Sequence, residues 1–155
     1  GKWVPTFTKA RYVFGKTEFE HWRDHSEEPA QVAVFADSVQ PIADAGKADL
    51  VASDHRLSDE ITLIPTPGHS PGHMSIHIAS DGGEGLLTGD VAHHPCQMTH
   101  LDWSSTADSD PRRSAETRRK LFSRFADGPV LVIGGHFNAG HIKREGDAFR
   151  FIALT

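Results

Sequence analysis

The spacing of hydrophobic and polar positions divides the chain into a helical stretch and a stretch of alternating strands. Arg11-Tyr12-Val13-Phe14 is a short β-type run closed by Gly15. Thr17 and Glu20 then stand three residues apart, the spacing of a reciprocal N-terminal cap, and predict a helix whose apolar side includes Phe19 and Trp22. Residues 31–45 predict a second helix, kinked or restarted before Pro41 and stopped by Gly46. Proline brings no N–H to a helix, and glycine accepts the left-handed turn that ends one. Leu50-Val51-Ala52 reads as a short extended piece.

Further along, the period falls to two. Residues 60–65 (EITLIP) read as a strand, residues 74–79 (MSIHIA) alternate, and residues 85–88 (GLLT) form a short buried strand. Asp81-Gly82-Gly83 marks a hairpin turn between the last two. Asp110-Pro111 supplies an N-cap and a proline at the first helical position. The helix it opens carries Leu121, Phe122 and Phe125 and ends near Gly128. Residues 129–133 (PVLVI) are a buried strand and residues 148–154 a last one. Paired strands with helices before and between them predict a mixed α/β (α+β) layer over residues 1–155, rather than a bundle.

Composition narrows the functional classes. The apolar fraction of 37% reaches an ordinary globular level once the 14 glycines are added. A net charge of −5 argues against a nucleic-acid partner. Arg112-Arg113 and Arg118-Arg119-Lys120 read as the solvated face of a helix. No apolar run approaches the roughly 18 residues of a membrane span, so no membrane partner is expected. The single cysteine, Cys96, excludes an internal disulfide and a cysteine-rich zinc site. Eleven histidines are the anomaly, since histidine is the commonest metal ligand and the usual general base near neutral pH.

Three polar residues fall where strands end. His73 lies in the loop TPGHSPGH between two strands, Asp90 follows LLTG, and His136 follows VLVIGG. Strand ends place side chains rigidly, and several of them can converge on one point. Two imidazoles and a carboxylate make a ligand set for zinc or a similar divalent ion. Taken singly, each has an ordinary reading: Gly-Asp is a common turn, and a histidine after a strand is commonly a capped surface residue.

TPGHSPGH, LLTGDVAHHP and VIGGHFNAGHI resemble, in wording and order, the third, fourth and fifth metal motifs of the metallo-β-lactamase superfamily. ARYVFGKTEFEHW also looks like that family, so the resemblance covers essentially the whole chain. Among its members the chain looks most like hydrolases of the N-acyl-homoserine lactonase and methyl parathion hydrolase type. The resemblance implies an αββα sandwich with a mixed sheet and flanking helices, and two zinc or similar divalent ions in the full-length protein. It makes His73 a ligand of one ion, His136 a ligand of the other, and Asp90 the bridging and catalytic carboxylate. His69 then supports a ligand or the loop. His93 and His94 follow the Asp90 loop, and Phe137 and His141 flank His136, as pocket or supporting residues. The implied chemistry is hydrolysis of a small-molecule ester, lactone or phosphotriester by a hydroxide formed at neutral pH. Asp90 at the bridging position favours this over β-lactam hydrolysis.

The family's His-x-His-x-Asp-His motif is absent. One Asp-His pair of the first half is Asp54-His55, with Leu50 and Ala52 where the other histidines would stand, 18 residues before His73. We read it as an ordinary loop pair. Each ion would then have two protein ligands from this chain, short of the three usual for catalytic zinc. The expectation is therefore a C-terminal half of the sandwich with its N-terminal half, and the missing motif, upstream. Such a half would leave one sheet face uncovered, to be paired with the missing half or with a second copy of the chain. It would have reduced or absent metal occupancy and be inactive alone. The alternatives are a catalytically incompetent half-domain, a weak metal-binding module, or a histidine-rich storage or sensor module.

Overall fold

The computed structural model describes residues 2–25 and 29–154. The chain forms two compact units, Gly1–Ala52 and Ser53–Thr155.

The first unit pairs β1 (Tyr12–Gly15) in parallel with β2 (Ala48–Val51). Between them run α1 (Lys16–His25), α2 (Pro29–Val34), a π-helical turn (Phe35–Val39) and α3 (Gln40–Asp44). The interruption expected before Pro41 takes the form of the π turn: the N–H of Gln40 bonds to the carbonyl of Phe35, five residues back. Pro41 has no N–H with which to keep the α-helical ladder, so the loop of chain before it widens. Gly46 ends the segment with a φ of 65°. Phe14, Phe19 and Phe35 pack edge to face at centroid distances of 5.8 and 5.4 Å, beside an apolar pocket of about 260 Å³ that Trp22, Val34 and Val39 also line.

The second unit is one six-stranded mixed sheet in sequence order: β3 (Ile61–Pro65), β4 (Met74–Ser80), β5 (Gly83–Leu87), β6 (Leu131–Ile133), β7 (Gly140–Glu145) and β8 (Ala148–Ala153). All neighbours are antiparallel except β5 and β6. A parallel pair requires a crossover. It is made by a 3₁₀ turn (Gly89–Val91), α4 (Cys96–Thr99) and α5 (Pro111–Phe125). The side chain of Asp110 accepts from the Arg113 N–H and caps α5, with Pro111 at its first position, as the sequence predicted.

Strand register sorts side chains to two faces. Leu86, Val132, Ile142 and Phe149 point to the face on which Leu121, Phe122 and Phe125 of α5 pack, joined by Val91, Met98 and Leu101. The opposite face carries Ile78, Ile133 and Ile152, each more than a third exposed. Two sequence expectations change. The polar run of β7 (GHIKRE) had no strand signal, because its inward positions are Gly140, Ile142 and Arg144, and only one of them is a large apolar residue. Arg118, read as part of a solvated face, is fully buried within the stripe Ser114, Thr117, Leu121, Phe122 and Phe125. Among the described residues no helix is long and apolar enough to cross a membrane.

Topology also decides where the loops meet. β5 and β6 run parallel, and β3, two antiparallel steps from β5, runs the same way. Their three C-terminal ends therefore open on one edge of the sheet, bringing together the segments after Pro65, Leu87 and Ile133.

Candidate metal centre

Asp90 sits in the turn after β5, at the centre of that edge. Its Oδ1 lies 3.1 Å from His136 Nε2 and its Oδ2 3.4 Å from His69 Nε2. One carboxylate oxygen thus faces each imidazole. Asp90, His93 and His136 bring ligand atoms within 4.8 Å of one another, and so do His69, His93 and Asp108. The His93 ring stacks on His136 with centroids 4.9 Å apart and tilts toward His69 at 5.2 Å. Its Nδ1 is buried and has no hydrogen-bond partner. His93 has its pKa lowered, chiefly by burial and then by the neighbouring His69, against the opposing pull of Asp90 and Asp108. A neutral imidazole is the form that ligates a metal.

The backbone is shaped around these groups. A Cβ on Gly135 would come 3.0 Å from Asp90 Oδ1, so a larger residue would press on the carboxylate. Gly89 has a φ of 57°, and a Cβ there would lie 2.7 Å from His73 Nε2. Glycine is the residue that fits both demands.

His73, expected to face a metal, is turned into the protein. Its Nε2 accepts the Asp90 backbone N–H at 2.9 Å, and its Nδ1 lies 2.8 Å from Thr66 Oγ1 and 3.1 Å from the Thr66 carbonyl. Thr66 Oγ1 also meets Ser75 Oγ at 3.2 Å, and Ser75 donates to the Thr88 carbonyl at 2.9 Å. The ring therefore fastens the β3–β4 loop to the start of the Asp90 turn. His69, expected to be a supporting residue, points its Nε2 at the Asp90 carboxylate.

The other expected residues divide. His94 is exposed, and its Nδ1 accepts the Cys96 N–H at 3.1 Å. Phe137 covers Gly134 and packs on Phe151 at 5.1 Å, against the core. His141 lies in β7, its Nδ1 2.9 Å from the Val130 carbonyl. Neither Phe137 nor His141 enters a cluster of ligand atoms among the described residues.

Three residues around the site were not among those expected there. Gln97 is buried, and its Oε1 accepts the His93 N–H at 2.7 Å. Asp108 and Arg118 both have fully buried side chains, with Arg118 Nη1 3.5 Å from Asp108 Oδ2. Arg118 also donates to the carbonyls of Leu101, Val91 and Trp103 at 3.0, 3.1 and 2.9 Å. Helical spacing was the available sign for Arg118, since it lies one turn before Phe122 on the inward stripe.

Imidazole nitrogens and carboxylate oxygens converging at a sheet edge, with glycines giving them room, suit zinc or a similar borderline divalent ion. Residues 1–136 match the family model of the metallo-beta-lactamase superfamily. No curated protein sequence matches the chain. Among solved structures, hydrolase AbOPH of the beta lactamase superfamily aligns with a TM-score of 0.88 at 21% identity, covering 100% of this chain and 58% of that one. AidC, described as a dizinc quorum-quenching lactonase and solved with a product, aligns at 0.79 and 21% identity, covering 98% and 59%. A probable metal-dependent hydrolase from Staphylococcus aureus aligns at 0.73 and 18% identity, covering 96% and 53%. The chain thus spans less than two thirds of the length of each of these structures, and the likeness at this identity is one of fold. With the family model matched over residues 1–136, the chain belongs to the metallo-beta-lactamase superfamily.

Proposed function

We propose that the sheet edge holds divalent metal and that the protein is a metal-dependent hydrolase of small-molecule esters, lactones or phosphotriesters. The observation that carries this reading is the Asp90 carboxylate, with one oxygen toward His69 Nε2 and the other toward His136 Nε2. A divalent ion or a pair of ions here would be held by Asp90 together with His69 and His136. On this reading the metal-facing histidine of TPGHSPGH is His69, and His73 is the support behind it. His93, whose buried Nδ1 lies among these groups, lines the same site.

A divalent ion here would supply Lewis acidity and lower the pKa of a water toward neutrality. The chain's own residues contribute placement. Asp90 orients both imidazoles and fixes the negative charge between them. The His73 ring holds the Asp90 N–H, so the carboxylate cannot swing with its backbone. His136, half exposed, and Asp90, more than a third exposed, leave the edge open to a substrate from solvent. Catalytic zinc ordinarily has three protein ligands, so a dinuclear site built on Asp90 draws on ligands beyond His69 and His136. AidC is described as a lactonase, which makes acyl-homoserine lactones the first substrates to try.

The test is hydrolysis of an acyl-homoserine lactone, an aryl ester and a phosphotriester with zinc added, for the wild type and Asp90→Asn. Zinc-dependent turnover of one class, reduced more than about 100-fold by the substitution, is expected; that is a larger loss than outer-shell partners give. No turnover of any class, together with zinc binding that Asp90→Asn leaves intact, would instead support the weak metal-binding module.

A further inference from the structure

We infer that Asp108 is a positioning residue for His69: it holds the ring in the Nδ1–H tautomer and so leaves Nε2 as the lone-pair nitrogen facing Asp90. The inference rests on the reading of His69 as a metal-facing histidine.

His69 Nδ1 and Asp108 Oδ1 are both buried, and neither has a hydrogen-bond partner. They face one another at 3.4 Å. That is longer than an ordinary hydrogen bond, yet each is the group the other lacks. Burying a carboxylate oxygen and a ring nitrogen unpaired is costly, and pairing them removes the cost. Among the described residues no other histidine makes an ion-pair contact with Asp108.

The second oxygen of Asp108 is already committed. Oδ2 accepts the Ser105 N–H at 3.2 Å and faces Arg118 Nη1 at 3.5 Å. Two donors on one side fix the plane of the carboxylate and aim Oδ1 at His69. The segment is also strapped to the histidine's backbone. The N–H and Oγ of Ser109 donate to the His69 carbonyl at 3.0 and 2.8 Å, and the Asp110 N–H donates to the Gly68 carbonyl at 2.9 Å. Arg118, Asp108, His69 and Asp90 thus form a line from the core to the site. A ligand histidine whose second nitrogen donates to a carboxylate is fixed in tautomer and made more basic.

The same geometry says what Asp108→Asn would do. The amide oxygen must take the Oδ2 place, where two donors point at it, and its NH₂ then faces His69 Nδ1. That nitrogen becomes an acceptor, the proton moves to Nε2, and the ligand atom is lost without a change in side-chain size.

The experiment is long-range ¹H–¹⁵N NMR of the histidine rings in the metal-free chain at mildly alkaline pH, followed by zinc titration, for wild type and Asp108→Asn. The expected result is Nδ1–H for His69 in the wild type, Nε2–H in the variant, and a zinc affinity lower by about 10–100-fold. A wild-type His69 in the Nε2–H form overturns the inference even if the variant does not fold. So does a zinc-bound spectrum in which His69 ligates through Nδ1, which would mean a metal between His69, His93 and Asp108. An unchanged tautomer and affinity in a folded variant also overturn it. If the tautomer inverts as expected but the wild type binds no zinc, Asp108 keeps its role and the metal reading fails.

Discussion

Two positions of the loop between β3 and β4, His69 at its middle and His73 at its inner end, carry the same residue in the same Pro-Gly setting, yet they meet opposite surroundings. At the inner end, both ring nitrogens of His73 are taken by Thr66 and the Asp90 backbone. At the middle, His69 has Nε2 toward an exposed carboxylate and Nδ1 toward a buried one, at 3.4 Å in each case. A ring with saturated partners is scaffold. A ring between two carboxylates, one open to solvent, is poised for a cation. On the proposed reading, the difference teaches that the elements behind each ring, rather than histidine count or spacing, select which histidine faces the metal.

Those elements differ in kind, so they can be broken separately. The middle of the loop leans on the core through Asp108 and Arg118. Arg118→Met leaves the Asp108 carboxylate buried without its cation, and a loss of about 3–5 kcal/mol is expected. Urea unfolding checks it; a loss under about 1 kcal/mol would mean the pair is incidental. The inner end leans on a close backbone approach. Gly89→Ala forces a left-handed conformation on alanine and pushes a methyl into His73 Nε2, so a loss of about 1–2 kcal/mol is expected from the backbone alone. It should also weaken zinc binding through the shifted Asp90 turn, read by the same unfolding curve with and without zinc. Unchanged stability would show that the loop can give way there.

Much of this was legible in the sequence, for identifiable reasons. Hydrophobic runs that stop abruptly at Gly-Asp and Gly-Gly-His put Asp90 and His136 at strand ends, and the mixed topology then brings those ends to one edge. The proposed choice of His69 over His73 was not legible. It depends on Gly89, 16 residues beyond His73, and on Asp108, 39 residues beyond His69, and neither spacing is a local pattern. Arg118 was obscured by its neighbours. In a run of Arg-Arg-Lys charge suggests solvent, and only the stripe Ser114, Thr117, Leu121, Phe122 and Phe125 reveals which of the three points inward. β7 was missed because a strand whose inward residues are glycine, isoleucine and arginine shows no alternation of hydrophobicity.

The measurement that bears most directly on the site is zinc affinity by competition with a chromogenic chelator, for wild type, His69→Gln and His73→Gln. Loss of His69 is predicted to weaken binding by more than about 100-fold and loss of His73 by about 10-fold, the lower end of what supporting residues contribute. The reverse order, with His73 the costlier loss, would contradict the account.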